Sequence, residues 1–468
     1  MKKYLLTGTG LLLFTLFLNE YVSSGKPHIF NTEDTISHII ESRVDYLPDV
    51  SMYRVSDVQG KFGPVLNICS GINIHFTKGH ERDLDMIAAA GFKFIRMDLI
   101  WEETENTKGT YNWTAYDELT ANLNKRGLRA IYILDYSNSL YEDSAKFKDT
   151  LTGLEYKDIA SPQHPESITG FERWAAAAAS HFKDNKVIWE IWNEPNVSYW
   201  RPVPDVNQYI ALALAACKAV KSVAPNSVII APGASQVPLP FLETFMASGV
   251  LEYLDGVSIH PYRDYSLSPE NASSDYRKVR DIIARHTPKG KKEIPVISSE
   301  WGYSSATNGL SVETQAEYVV RMQLSNLLNG IPFSIWYDWK NDGNSPTDFE
   351  YNCGTVTSDL KPKPAYTAIQ TMNKQLDGFS FLRRIDLKND HDYALLFKNE
   401  IGNYRISAWS MDQSHSVLID IIISNVKGAT AIDGKGNDLK LKTDNGKLVL
   451  DLKELPQYVS LPEGIRLD

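Results

Sequence analysis

The sequence predicts an α/β protein: a (β/α)8 TIM barrel followed by a small C-terminal antiparallel β-sandwich. Three observations predict it. Strand-like and helix-like segments alternate eight times between residues 64 and 375. After residue 378 the pattern changes to short runs of alternating polarity. The chain of 468 residues is also long enough for one large barrel, typically ~250 residues before insertions, plus a smaller unit. Helical crossovers between parallel strands are the economical wiring for such an alternation. A doubly wound open sheet is the competing architecture, but no glycine-rich phosphate loop follows an early strand.

The barrel elements follow in order. The apolar run VLNICSGINI (65–74) reads as the first strand, and DLDMIAAAGF as a short helix ending at Gly91. KFIRMDLI (93–100) is the second strand, and AYDELTANLNKRG (115–127) a helix stopped by Gly127. LRAIYILDY (128–136) is the third strand; the long helix 166–185 leads to the fourth, KVIWEIW (186–192). Helices 205–224, 238–249, 274–286 and 311–330 lead to strands 227–233, 255–260, 293–301 and 332–339, and helix 363–376 closes the series. The expected catalytic barrel spans 63–377.

Residues 378–468 read as the sandwich, with runs such as DYALLFKN, YRISAWSM and HSVLIDIII. Asn445-Gly446 inside LKLKTDNGKLVLDL is a two-residue hairpin signal. Trp409 is expected in this unit's core. Residues 25–62 are assigned to packing against the barrel or sandwich. At the N-terminus, Lys2 and Lys3 precede an apolar run at 4–18 and a small-residue stretch ending at Ser24. That order is the layout of a secretory signal peptide, and the run is shorter than the ~20 residues of a bilayer span. A secreted or periplasmic protein without its residues 1–24 is expected, an uncleaved anchor being the less favoured alternative.

Net charge −10 and a pI near 5.6 argue against nucleic-acid binding, since no basic region remains to neutralise phosphates. The three cysteines, Cys69, Cys217 and Cys353, permit at most one disulfide; Cys69 and Cys217 read as buried apolar fillers. There is no HExxH or CxxC, so neither metal nor other cofactor is expected.

Function in such barrels sits at the C-terminal ends of the strands. The residues there are His75, Asp98 with Trp101, Asp135-Tyr136, Asn193-Glu194, His260-Pro261-Tyr262, Glu300-Trp301, and Trp336 with Asp338-Trp339. In IWEIWNEPN (188–196), Glu190 and Glu194 share parity but differ in depth: four residues along an ideal strand are roughly 13 Å. Glu190 is expected inside the barrel and needs a buried partner, for which Arg96 is the candidate. Glu194, before ladder-breaking Pro195, is expected at the rim. Glu300 ends the seventh strand, opposite the fourth, and Arg96 is placed to hold it ionised. Two carboxylates facing one another across a sugar are what glycoside hydrolysis requires. Either glutamate alone is more often structural, by about four to one; the combination with Asn193, His260 and the aromatics reverses those odds.

These residues, in WEIWNEPN (189–196), ISSEWGYSS (297–305), FIRMD (94–98), SIHPY (258–262) and KGTYNW (108–113), resemble the clan A glycoside hydrolases. The wording is most similar to family 39, which includes β-xylosidases, α-L-iduronidases and bacterial exopolysaccharide endoglycosidases; family 5 shares much of the pattern. The resemblance implies Glu194 as general acid/base and Glu300 as nucleophile of a retaining enzyme, with carboxylates about 5–5.5 Å apart. It implies that Asn193 bonds the sugar 2-hydroxyl, that His260 and Tyr262 stand at the rim near Glu300, and that Trp336 is a sugar platform. His75 would line the same subsite, and Trp101, Tyr136, Trp200, Trp301 and Trp339 further ones. A uronic acid would need cations; Arg201, Arg263 and Lys340 lie near strand ends. The implied function is a secreted, endo-acting hydrolase of a β-linked polysaccharide or oligosaccharide. An exo-acting β-xylosidase and a non-catalytic glycan-binding barrel are the alternatives.

Overall fold

A computed structural model describes residues 70–150, 152–422 and 428–461. The leader-like segment, residues 25–62 and Cys69 lie outside them. Eight parallel strands close into a barrel: β1 (Ser70–Asn73), β2 (Phe94–Ile100), β3 (Arg129–Asp135), β4 (Ile188–Ile191), β5 (Val228–Ser235), β6 (Gly256–His260), β7 (Val296–Trp301) and β8 (Ser334–Trp336). Closure runs through β8, where Ser334 pairs with Ser70 on one side and Ser298 on the other. Helices lie between the strands, as the alternation requires. The last, Pro364–Leu376, ties the ends of the barrel together: Asn373 donates to the Ala90 carbonyl and accepts from the Ser70 hydroxyl.

The barrel interior is sorted by depth. Phe94, Ile131, Ile188, Val228, Ile230, Ile297, Phe333 and Ile335 fill its lower layers. Inward positions further along the same strands carry Arg96 and Glu190 instead. The floor is thus sealed by apolar packing and the polar residues are gathered at the C-terminal mouth.

Residues 137–166 lead from β3 into the next helix. The structure forms an antiparallel hairpin there, Ser144–Lys148 paired with Glu155–Ile159. Ser198 pins it to the loop after β4 by donating to Asp149 Oδ2 (2.5 Å). The C-terminal segment forms two antiparallel sheets, of six and three strands. They enclose a core of Leu396, Ile406, Ile419, Leu448, Leu450 and Val459. Asn445 and Gly446 form the expected turn, both with positive φ (49° and 80°), between paired Asp444 and Lys447. Trp409 is fully buried, stacked on Tyr393 at 4.7 Å between ring centroids, and donates to Glu270 of the barrel (2.8 Å). Cys217 and Cys353 are buried free thiols. Among the described residues no helix is long and apolar enough to cross a membrane.

Candidate active site

The stretch after β4 shapes the mouth. Regular strand stops at Ile191, and Trp192 and Glu194 then take positive φ values of 66° and 47°. Such values cost a residue with a side chain of order 1–3 kcal/mol and persist only where the surroundings hold them. Here the Glu194 amide donates to the Gly233 carbonyl, and Asn196 exchanges hydrogen bonds with the backbone of Ser235. Gly233 itself has φ 59°, and a Cβ on it would stand 3.0 Å from Glu190 Oε1. Glycine there allows the β5 backbone to pass beside the buried glutamate.

Arg96 organises the centre. Its Nε donates to Glu190 Oε2 (2.6 Å), Nη1 to Glu300 Oε2 (2.5 Å) and Nη2 to Asn193 Oδ1 (2.8 Å). Both Arg96 and Glu190 are essentially without exposure, so the sequence expectation of a buried partner for Glu190 is met. Glu300 receives a second hydrogen bond, from the Tyr262 hydroxyl to Oε1 (2.7 Å). Burial opposes its charge, but His260, Arg96 and Tyr262 outweigh burial and hold its pKa below the ordinary glutamate range. Nδ1 of His260 lies 2.8 Å from Glu194 Oε1 and 3.9 Å from Glu300 Oε1. His260 is wholly buried between the two carboxyls, below the rim where it was expected. One ligand-type atom each of Glu194, His260 and Glu300 lies within 4.8 Å of the others. That carboxylate approach suits the close spacing of retaining glycosidases and falls short of the ~6.5–9.5 Å of inverting ones.

Around this centre Asn193 donates to the Tyr136 hydroxyl (3.2 Å), and Tyr136 stacks on Tyr199. His75 is exposed on the opposite side and faces Asp338 at 3.4 Å. Burial opposes protonation of His75, but Asp338 and neighbouring Asp342 and Asp98 prevail and its pKa is raised to about 9. His75, Asp338 and Asp342 also bring ligand-type atoms within 4.8 Å of one another, a geometry a cation can use.

The tryptophan expectations need correction. Trp336 is fully buried and its indole donates to the Cys353 carbonyl (3.2 Å), so it offers no face to a sugar. The next residue, Tyr337, is also buried (9% exposure); it meets the exposed His75 edge-on at 5.6 Å and donates to Glu350 Oε2 (2.6 Å). Burial, with Asp338, Asp342 and Glu300 nearby, raises the Glu350 carboxyl to about 8 against the opposing Tyr337 hydrogen bond. Trp101 donates to Glu105 and stacks on Tyr141; Trp200 bonds Gln208; Trp339 bonds Asp83; Trp301 is enclosed beside Tyr303. All four have 0–1% exposure and belong to packing around the barrel. Arg201, Arg263 and Lys340 are paired with Asp158, Asp275 and Asp83. Glu350 was missed by sequence because it lies in a loop without periodicity. Tyr337 was missed because parity no longer assigns faces beyond the short β8.

Comparison with known proteins bears on the family and the fold. The family model described as Cellulase (glycosyl hydrolase family 5) matches residues 64–343. A curated β-xylosidase of Caldicellulosiruptor saccharolyticus is 24% identical over 245 residues, 48% of this chain and 50% of its own length. The chain thus spans about half of that relative. A family 39 glycoside hydrolase from the gut symbiont Bacteroides cellulosilyticus WH2 superposes with TM-score 0.72 at 27% identity, covering 84% of this chain and 81% of that one. A family 39 β-xylosidase from Caulobacter crescentus shares the fold, with TM-score 0.62 at 15% identity over 84% and 96% of the two chains.

Proposed function

The chain belongs to the cellulase family, glycosyl hydrolase family 5, of the clan A glycoside hydrolases, and from this premise we propose that it is a secreted, endo-acting enzyme that cleaves β-glycosidic bonds of a polysaccharide with retention. That it is an O-glycosyl hydrolase with a carbohydrate substrate follows from the family. The observation that supports retention by two glutamates is the close approach of Glu194 and Glu300 in unequal surroundings; secretion rests on the leader-like N-terminal sequence and endo action on the resemblance to polymer-cleaving relatives.

In the proposed mechanism Glu300, kept ionised by Arg96 and oriented by Tyr262, attacks the anomeric carbon. The bond to the leaving oxygen breaks as Glu194 delivers its proton there, leaving a covalent glycosyl-Glu300 ester. Glu194, now ionised, takes a proton from water; the water oxygen attacks the same carbon and releases Glu300. Asn193, fixed by Arg96 and Tyr136, is placed for the 2-hydroxyl. A 2-fluoro glycoside tests the assignment: the label should fall on Glu300, and a label elsewhere overturns it.

The β-xylosidase names among the similar proteins favour an exo-acting β-xylosidase as the second reading. Sizing the products from β-linked polymers and oligosaccharides separates the two, since monosaccharide as the sole product sinks the endo proposal. Secretion is tested by the mature N-terminus, which should begin at Gly25.

A further inference from the structure

Asp98 near the end of β2 and Asp135 at the end of β3 lie side by side, both on inward-facing positions of their strands. Asp98 is in register with Ile133, and Asp135 with Ile100. Asp135 has no exposure, and neither of its oxygens meets a hydrogen-bond donor among the described residues. A buried carboxyl left bare in this way calls for a physical account. Among the described residues its partner at hydrogen-bonding range is the half-buried Asp98. Burial, with Glu300 and the exposed Glu103 adding like charge, raises the Asp98 carboxyl above its ordinary range, against His75, Arg96 and the hydrogen bond with Asp135, which favour its charge; Glu190 adds like charge behind Asp135. Two ionised carboxylates are not sustained side by side at this depth, so the pair holds one proton. Burial and the charge of Asp98 raise the Asp135 carboxyl well above its ordinary range, so Asp135 keeps the proton and donates it to Asp98. That leaves Asp98 a fixed acceptor with lone pairs free toward the mouth.

We propose that Asp98, held in place by the proton it shares with Asp135, binds a hydroxyl of the sugar on the Glu300 side of the scissile bond, and that this subsite takes an uncharged sugar and turns away a uronic acid. The inference rests on the two-glutamate reading for the position of the sugar. Asp98 contacts the substrate; Asp135 is a positioning residue. A uronate would meet Asp98 and Glu300 while the nearby cations are committed, Arg96 to Glu190 and Glu300 and His75 to Asp338. A hydroxyl donating to a held carboxylate makes the stronger, charge-assisted kind of hydrogen bond.

The test pairs Asp98→Ala with a series of monodeoxy 4-nitrophenyl glycosides. In the parent enzyme, loss of one particular hydroxyl should lower kcat/KM about 100-fold; in Asp98→Ala the same deletion should cost little further. Asp135→Asn, which keeps a neutral donor, should recover most of the activity lost in Asp135→Ala. A uniform loss across the deoxy series in Asp98→Ala means a structural role and overturns the proposal. So does hydrolysis of 4-nitrophenyl glucuronides in preference to neutral glycosides. Labelling of Glu300 by the 2-fluoro glycoside is read separately, so failure of the two-glutamate reading is recognised on its own.

Discussion

At the scale of single residues, Arg96 couples structure to chemistry. One guanidinium binds Glu190 and Glu300 together and positions Asn193. Arg96→Met should therefore destabilise the protein by about 3–5 kcal/mol, because it strands a buried glutamate, and chemical denaturation will measure it. The same contacts set the acid limb of activity. The folded pKa of Glu300 is depressed, so its charge and the stability tied to that charge are present above the unfolded pKa and are lost as pH falls through the folded value. The acid limb of kcat/KM should lie below the ordinary glutamate range, and Tyr262→Phe should move it upward; an unmoved limb contradicts the role given to that hydroxyl. For Glu194→Gln, substrates with poor leaving groups should slow by about 10²–10⁴-fold, while dinitrophenyl glycosides are nearly unaffected in the first step. Much of this centre was legible in sequence. Depth along the strand separated Glu190 from Glu194, although the ladder ends at Ile191, four residues before the expected break at Pro195. The tryptophans misled because large aromatics at strand ends look alike whether they face a sugar or a neighbouring helix. Burial of the indole, which decides the matter, is a tertiary property.

At the scale of elements, the eight barrel strands were legible because each is a predominantly apolar run or flanks one, alternating with helix-like segments. The hairpin after β3 was not. Its first strand alternates exposed Lys146 and Lys148 with partly buried Ala145 and Phe147, and its second is exposed over Glu155, Tyr156 and Lys157. Phe147 stacks on Tyr156 and lies under Arg201, whose guanidinium also covers Tyr136, the hydrogen-bond partner of Asn193. The hairpin therefore continues the wall of the mouth on the Glu194 side, where an extended leaving group would lie. Replacing residues 144–159 with a short Gly-Ser linker should raise KM for polymeric substrate several-fold more than KM for an aryl monosaccharide. Equal changes for both would show that the hairpin merely supports the loop after β4.

At the scale of the whole molecule, the sandwich was legible from its alternation and its Asn445-Gly446 turn, but its attachment was not, since the residues that make it are scattered. Glu270, ahead of helix Ser273–His286, accepts both arms of Arg321 from helix Val312–Leu328 (2.8 and 2.9 Å) and the indole of Trp409 from the sandwich. All three side chains are buried. Burial opposes the charge of Glu270, and Arg321 overcomes it to leave the carboxyl below its ordinary range. This contribution to stability is full above the unfolded pKa and fades as acid protonates the folded carboxyl. The ion pair is internal to the barrel, and Trp409 joins the sandwich to it, the kind of contact expected of a cover for the barrel flank. Trp409→Ala should then cost about 3–5 kcal/mol, and Glu270→Ala a similar amount by stranding Arg321. Both should lower the midpoint of one unfolding transition shared by the barrel and the sandwich. If denaturation instead resolves two transitions, and a chain cut at residue 377 keeps the parent melting temperature while losing only affinity for polymer, the sandwich is an independent binding unit and its structural role is refuted.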